Sequence, residues 1–337
     1  MSLADRALGR LACAGRQLPN PHILIRPYLV REAVASSRIE GTQASLSEVF
    51  DAEAQEVEAT GDLLEVANYI RAMELGLRLV QDVPISTRFI RELHKTLMAG
   101  VRGQERSPGE IRTSPNWIGS PDNRPETAVF VPPPVDEMHA ALSDWERFLH
   151  YPPPLPVLVR CALLHYQFET IHPFLDGNGR IGRLLIVLFL VEQGDLPQPL
   201  LYTSAYFEEH KADYYGRLQG ERGELEEWIQ FFLTAVARQA QDALQRAERL
   251  ADLREGYRQR LAVGRSRAHE VIDLLFANPV MTAKFVARGL GITSQGAHNL
   301  LGRLKEAGVV EELPRVPGRS LRWQAREILE ALGGFAS

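Results

Sequence analysis

Apolar positions recur along this chain at three- and four-residue intervals, the spacing that lines one face of an α-helix. The pattern predicts helices over Tyr28–Ile39, Leu63–Val80, Thr87–Met98, Val135–Leu149 and Val157–Thr170. Gly41 follows the first of these as a stop signal. A further helix is expected from Asn178 to Gln193, with Gly194 as its C-terminal stop. Glu224 to about Arg258 reads as one long or broken helix, increasingly charged, placed to act as a stalk between domains.

One region breaks the helical period. Between Gly103 and Pro134 the chain is rich in Pro, Gly, Asn and Ser, and it holds two short extended runs. These are Ile111 to Ile118, which includes Trp117, and Ala128 to Val131, which includes Val129 and Phe130. The turn chemistry of Ser120-Pro121-Asp122-Asn123-Arg124-Pro125 between them predicts a long β-hairpin. A hairpin in a helical domain needs something to pack on or a partner strand to pair with.

The C-terminal part changes character again. Arg267–Phe276, Thr282–Arg288 and Ser294–Ala307 read as three short helices, with a tight Gly289-Leu290-Gly291-Ile292-Thr293 turn before the third. Val309-Val310 and Leu321-Arg322-Trp323 bracket Pro314–Ser320 as two strands and a basic wing. From Arg265 to Trp323 there are nine positive and five negative residues, although the whole chain carries −5. The expectation is a winged-helix domain over 262–325, with Ser294–Asn299 opening a recognition helix.

The mild net charge of the 337 residues excludes a chain that binds nucleic acid as a whole. Cys13 and Cys161 are far apart and in no metal-ligand spacing, so a reducing, cytoplasmic setting without disulfides is expected. The first fifteen residues offer no apolar signal-peptide run. The longest apolar run, Leu184–Val191, falls far short of the roughly 20 residues a membrane span needs.

The densest chemistry lies in His172-Pro173-Phe174-Leu175-Asp176-Gly177-Asn178-Gly179-Arg180-Ile181-Gly182-Arg183. Gly177-Asn178-Gly179 separates two helices, where glycines allow a tight turn and the N–H groups of a helix start make an anion site. Arg180 and Arg183 lie three apart on the second helix and can fork onto phosphate oxygens. Asp176, just before the turn, is suited to a Mg²⁺ ion carried by phosphates. His172 is the nearby side chain that can take a proton at neutral pH. Each piece alone has an ordinary structural explanation: a packed histidine, a helix cap, solvated ion pairs. The cluster as a whole does not.

These residues resemble the Fic-domain signature, His-x-Phe-x-Asp/Glu-Gly-Asn-Gly-Arg-x-x-Arg, without departure. The resemblance implies a mainly α fold: a Fic-type helical core with a β-hairpin flap, joined to the winged helix. It divides the chain into an N-terminal helical region (1–90), a Fic core (91–250) and the C-terminal domain (262–325). It implies a protein adenylyltransferase that uses ATP and Mg²⁺ to place AMP on a Ser, Thr or Tyr hydroxyl. His172 would be the general base, Phe174 a buried anchor and Asp176 the Mg²⁺ ligand. Gly177, Asn178 and Gly179 would cradle the phosphates, with Arg180 and Arg183 gripping them. Ile111, Trp117, Ile118, Val129 and Phe130 would belong to a flap that aligns the target's backbone.

Ser36-Ser37-Arg38-Ile39-Glu40-Gly41 is similar to the Ser/Thr-x-x-x-Glu-Gly/Asn inhibitory motif of some Fic proteins. The resemblance pairs Glu40 with Arg183, with Ser36 one helical turn before Glu40 and Gly41 after it. Of Tyr202, Tyr206, Tyr214 and Tyr215, which suit either core packing or an adenine pocket, Tyr215 is the best candidate for the pocket. His165 lacks the co-ligands of a zinc site and reads as structural. Three alternatives stay open: a DNA-binding regulator with a nucleotide-sensing core, an enzyme that removes AMP, and a Fic enzyme with another donor. Target protein and signal are not named by the sequence; dimerisation is a family expectation.

Overall fold

The structure is a computed structural model that describes residues 2–17, 22–102, 107–119, 122, 124–219, 225–261 and 267–333. Its centre is α8 (Asn178–Glu192), which is apolar on every face from Leu184 to Leu190 and buried accordingly. Around it pack α2 (His22–Ile39), α4 (Asp62–Leu79), α5 (Thr87–Leu97) and α7 (Val157–Ile171). Two glycines set how closely. A Cβ on Gly182 would stand 2.2 Å from Glu169 Oε1 on α7, and one on Gly76 of α4 would stand 2.6 Å from a Leu188 methyl. α6 (Val135–His150) backs α7, and the Trp145 indole donates to the Leu164 carbonyl at 3.0 Å.

The long helix α11 (Leu225–Arg260) begins at the edge of the described residues, so the expected start at Glu224 lies outside them. It is also part of the core. It buries Trp228, Phe232, Val236, Leu250 and Tyr257 and packs along α1 (Ser2–Gln17), α7 and the short helices α9 (Ser204–Glu209) and α10 (Lys211–Leu218). α1 was not predicted because three of the five residues on its buried face, Ala4, Ala7, Leu8, Leu11 and Ala12, are alanines, which mark an apolar period weakly. α2 starts six residues before the expected Tyr28. Pro27 lies inside it, and a proline disfavours helix at the residue before it, which is why the pattern reads as starting after it. α3 (Leu46–Gln55) follows, opened by a capping box between Ser45 and Glu48.

The hairpin expected over 111–131 is reduced to one antiparallel bridge, Ile118 with Phe130. Pro115, Pro125 and Pro132–Pro134 remove the donors a longer ladder would need. Of the predicted turn, Ser120, Pro121 and Asn123 lie outside the described residues.

The C-terminal part runs α12 (Ala268–Ala277), β1 (Val280–Thr282), α13 (Ala283–Leu290), α14 (Ser294–Glu306), β2 (Glu311–Glu312) and β3 (Arg322–Gln324). The strands form one antiparallel sheet in the order β1-β3-β2, with Val280 and Glu311 both opposite Gln324. β1 was not foreseen, and the ladder of β2 begins two residues after Val309, because Val309 and Val310 turn into the core instead. α15 (Arg326–Leu332) returns to α11 and α2, where Arg246 donates to the Ala331 carbonyl at 2.7 Å. This unit is packed directly on the N-terminal helices: α12 lies against α2 and β1 against α3. Among the described residues no helix is long and apolar enough to cross a membrane. Cys13 and Cys161 form no disulfide.

Two buried histidines hold helices together in the neutral form. His165 lies between the Gly182 carbonyl and the Tyr214 hydroxyl, at 3.0 and 2.9 Å. His94 Nδ1 accepts the Gly109 N–H at 2.8 Å, so its Nε2 donates to the Asp176 carbonyl. Burial holds His165 down at about 3 and His94 at about 4, against an ordinary 6.5. The unfolded chain therefore takes up protons first as the pH falls. The stability these sites contribute is complete above pH 6.5 and is lost as the pH falls toward 4 and 3. Thermal melts should show a loss of a few kcal/mol between pH 7 and 4.5, from ~1.4 kcal/mol per pH unit for each site, and less in His165→Gln. A melting temperature unchanged over that range would contradict the assignment.

Candidate functional site

The signature loop is positioned by interactions that leave it little freedom. α7 ends at His172, which caps it in the left-handed region at φ 50°, ψ 60°. The buried Arg112 side chain fixes that turn, donating to the His172 carbonyl at 2.9 Å and the Pro133 carbonyl at 2.6 Å. Phe174 is fully buried, and its ring stacks on His94 with centroids 3.8 Å apart. Asn178 then clasps Phe174 from both sides, accepting its N–H at 2.9 Å and donating to its carbonyl at 2.8 Å. Gly177, at φ 75°, turns the chain into α8, with Met98 Sδ only 2.9 Å from where a Cβ would be.

Beside this loop opens a cavity of about 390 Å³. His172, Glu169, Gly179 and Arg183 form its floor, Glu40 borders it, Ile118, Val129 and Phe130 form one wall, and Tyr215, Leu218 and Gln219 another. The His172 Nδ1–H faces the Glu169 carbonyl at 3.3 Å, which selects the tautomer with Nε2 free to accept. Burial lowers its pKa to about 4, so the imidazole is neutral near pH 7. It can serve as a base there.

Arg183 is completely buried, and three of its contacts come from the last turns of α2 and Glu40, the residue that follows it. Nε donates to Ser36 Oγ at 2.8 Å, and Nη2 donates to the Ser36 carbonyl at 3.0 Å and to Glu40 Oε1 at 2.6 Å. Its Nη1 is buried without a protein partner among the described residues. Enclosure alone would raise the Glu40 carboxyl, but Arg183, its hydrogen bond and Arg180 outweigh that and hold it below the usual range. Glu40 can come so close because position 179 is glycine: a Cβ there would be 2.5 Å from Glu40 Oε1 and 2.9 Å from Arg183 Nη1. Gly41, at φ 97°, ends α2 directly after Glu40.

Other candidates are placed differently. Arg180 is buried and turned from the cavity; its Nη1 meets Glu65 on α4 at 3.3 Å, and Glu65 also takes the Thr42 hydroxyl at 2.9 Å. Asp176 is partly exposed beside the start of α8, where its Oδ1 accepts the Gly177 N–H at 2.6 Å. Neither it nor Trp117 nor Ile111 lines the cavity, and Ile111 packs on the core instead. Tyr215 does line it, its hydroxyl donating to the Ile39 carbonyl at 3.4 Å; Tyr202 and Tyr214 are core residues.

Sequence reasoning missed four contributors: Arg112, His94, Glu65 and Glu169. The first three act on backbone or on other side chains, and nothing in their local sequence marks them. Glu169 had a signal, the one carboxylate of α7, placed three residues before His172. Burial raises it to about 8, with Arg183 opposing and Glu40 adding to the rise, and its Oε1 is buried without a hydrogen-bond partner among the described residues.

Residues 1–78 match the model described as Fic/DOC family N-terminal, and residues 84–190 match the Fic/DOC family model. A protein adenylyltransferase Fic of Drosophila erecta is 30% identical over 166 residues, which are 47% of this chain and 31% of that protein. Its counterpart from Drosophila melanogaster is 29% identical over 166 residues, 47% and 32% of the two chains. The chain thus spans about a third of the length of the curated relatives it matches. Among solved structures, a Fic family protein from Desulfovibrio desulfuricans G20 aligns over 96% of this chain and 94% of its own, with TM-score 0.59 and 21% identity. Fic-1 from C. elegans aligns over 72% of this chain and 71% of its own, with TM-score 0.55 and 20% identity. Those two structural likenesses are of fold alone. The two family matches are separated by five residues, the second contains the His172–Arg183 signature, and together they span more than half of the chain, which belongs to the Fic/DOC family.

Proposed function

We propose that this protein is an adenylyltransferase that moves AMP from ATP to a hydroxyl of a target protein or of itself, and that Glu40 restrains it. The reading rests on one observation. A neutral His172 and a buried arginine with an unpartnered N–H share one cavity, and the arginine's present partner is a carboxylate. His172 Nε2 takes the proton from the incoming Ser, Thr or Tyr hydroxyl, and that oxygen bonds to the α-phosphorus. The bond to the β-phosphate breaks and pyrophosphate leaves with its electron pair. Arg183 and the N–H groups at the start of α8 offset the charge on the leaving phosphates, and Arg180 joins them on turning from Glu65. Tyr215 is suited to the adenine side, at the other end of the cavity wall.

The residues fit Mg²⁺ in the way nucleotide enzymes hold it. Among the described residues there is no cluster of three metal-ligating side chains, and Asp176 offers one half-exposed carboxylate. A single carboxylate with substrate phosphates completing the shell is a common arrangement for this ion, which would neutralise phosphate charge when bound. The bridged pair Ile118 and Phe130 borders the cavity, with Val129 62% exposed beside it. An extended target segment laid along this edge would bring its hydroxyl to His172 without much demand on its sequence.

Restraint follows from geometry. A carboxylate hydrogen-bonded to Arg183 Nη2 imitates the phosphate oxygen it keeps out, and Ser36 and Gly41 set its reach. A second reading, a regulator that binds DNA through residues 262–325 read as a winged helix, is favoured by the arrangement of α13, α14 and the three-stranded sheet. The intact His172 favours the enzyme, since a nucleotide sensor needs no base.

With α-labelled ATP, Mg²⁺ and cell lysate, Glu40→Gly should transfer at least about tenfold more label than wild type. That is the gain expected when ~1.4 kcal/mol of competition is removed. His172→Ala, alone or added to Glu40→Gly, should leave only background. Equal labelling by wild type and Glu40→Gly would remove Glu40 as the restraint, and labelling that survives His172→Ala would remove the base.

A further inference from the structure

The C-terminal unit carries a basic face, and in this structure the chain's own α3 covers part of it. Asp51 accepts from Arg319 at 3.2 Å and from Arg322 at 3.1 Å. Glu56, which caps the end of α3 in the left-handed region, meets Lys284 at 2.8 Å and Arg288 at 2.5 Å. Gln55 exchanges two hydrogen bonds with the Ser320 backbone between the wing arginines. Four cations from two separate segments therefore converge on two carboxylates, and they outnumber them. Lys284, Arg288 and Arg319 remain at least half exposed.

Beside the cations, Ser294, Gln295, His298 and Asn299 stand exposed on the first turns of α14. They are hydrogen-bonding side chains of the kind that reads base edges. Cations flanking such a face suit a duplex better than an acidic peptide, which would need no base reader.

We infer that Lys284, Arg288, Arg319 and Arg322 form a duplex nucleic-acid surface whose phosphate positions are occupied by Asp51 and Glu56, so that a duplex and α3 compete for it. The inference rests on the winged-helix reading of residues 262–325. Its consequence reaches the active site, because α3 follows α2 after the short Gly41–Ser45 link and α2 carries Glu40. Occupation of the face by a duplex would loosen one end of the helix pair that presents Glu40 to Arg183.

The full chain, with a mixed-sequence DNA duplex as probe, tests this by fluorescence anisotropy at several salt concentrations and without ATP. Asp51→Asn/Glu56→Gln should bind about tenfold more tightly than wild type, and its salt dependence should steepen by roughly two to four in log–log slope, from ~0.9 per phosphate contact. Asp252→Asn/Glu255→Gln on the exposed face of α11 makes the same charge change and should leave both quantities near wild type. Lys284→Ala/Arg319→Ala, which keeps the fold's buried contacts, should lose the binding. If the α3 variant gains no more than the α11 control, competition is overturned while the winged-helix reading stands. If no form binds the duplex even at low salt, that reading falls and the inference with it. An acidic peptide that binds the α3 variant more tightly than the duplex does would overturn the choice of partner.

Discussion

A fully buried guanidinium is the constraint on which this structure depends. Moving an unpaired charge into a protein interior costs several kcal/mol even after relaxation, so Arg183 must be answered from nearby. The answer comes from α2, through Ser36 and Glu40, across 143 residues of sequence. Much else exists to permit that meeting. Gly179 leaves room for the carboxylate, Gly182 lets α7 and α8 close together behind it, and Gly41 ends α2 once Glu40 is in place. Arg112 and His94 hold the loop so that Arg183 and His172 face the same space.

The same helix links the site to the far end of the chain. α2 touches α8 at the site, α4 and α9 along its length, and α12 and α15 of the C-terminal unit. Its Tyr28 hydroxyl is tied to the Ala243 carbonyl of α11 at 2.7 Å. The C-terminal unit therefore bears on the helix that presents Glu40, and the ion pairs of Glu56 with Lys284 and Arg288 and of Asp51 with Arg319, whose cations are at least half exposed, are the salt-sensitive part of that connection.

The parts of this molecule that were legible in sequence are those whose information is local. The helices α4 to α8 follow from apolar spacing within a residue or two, and the signature gave His172, Phe174 and Arg183 because its chemistry is confined to twelve residues. Ser36 and Glu40 were found through resemblance, and the spacing of one helical turn is what lets both reach Arg183. The rest is carried by tertiary contacts. Arg180 is sequence-equivalent to Arg183 in charge and helix, yet its ion pair with Glu65 holds it out of the cavity lining. α1 hides its period in alanine, and α11 read as a stalk because its buried side is interrupted by charge. The expected hairpin shortens to the Ile118–Phe130 bridge where prolines remove the donors that strand patterning takes for granted.

The central claim is that the Glu40 carboxylate stands where an outer phosphate of the nucleotide would meet Arg183. Calorimetric titration of the wild type and of Glu40→Gly with ADP and with ATP, each with Mg²⁺, tests it without any turnover. The account predicts that the wild type binds the two nucleotides within about twofold of each other, because the position for the extra phosphate is taken. It predicts that Glu40→Gly prefers ATP by roughly tenfold, the worth of ~1.4 kcal/mol of restored charge-assisted hydrogen bonding. A wild type that already prefers ATP by the same margin as Glu40→Gly would contradict it.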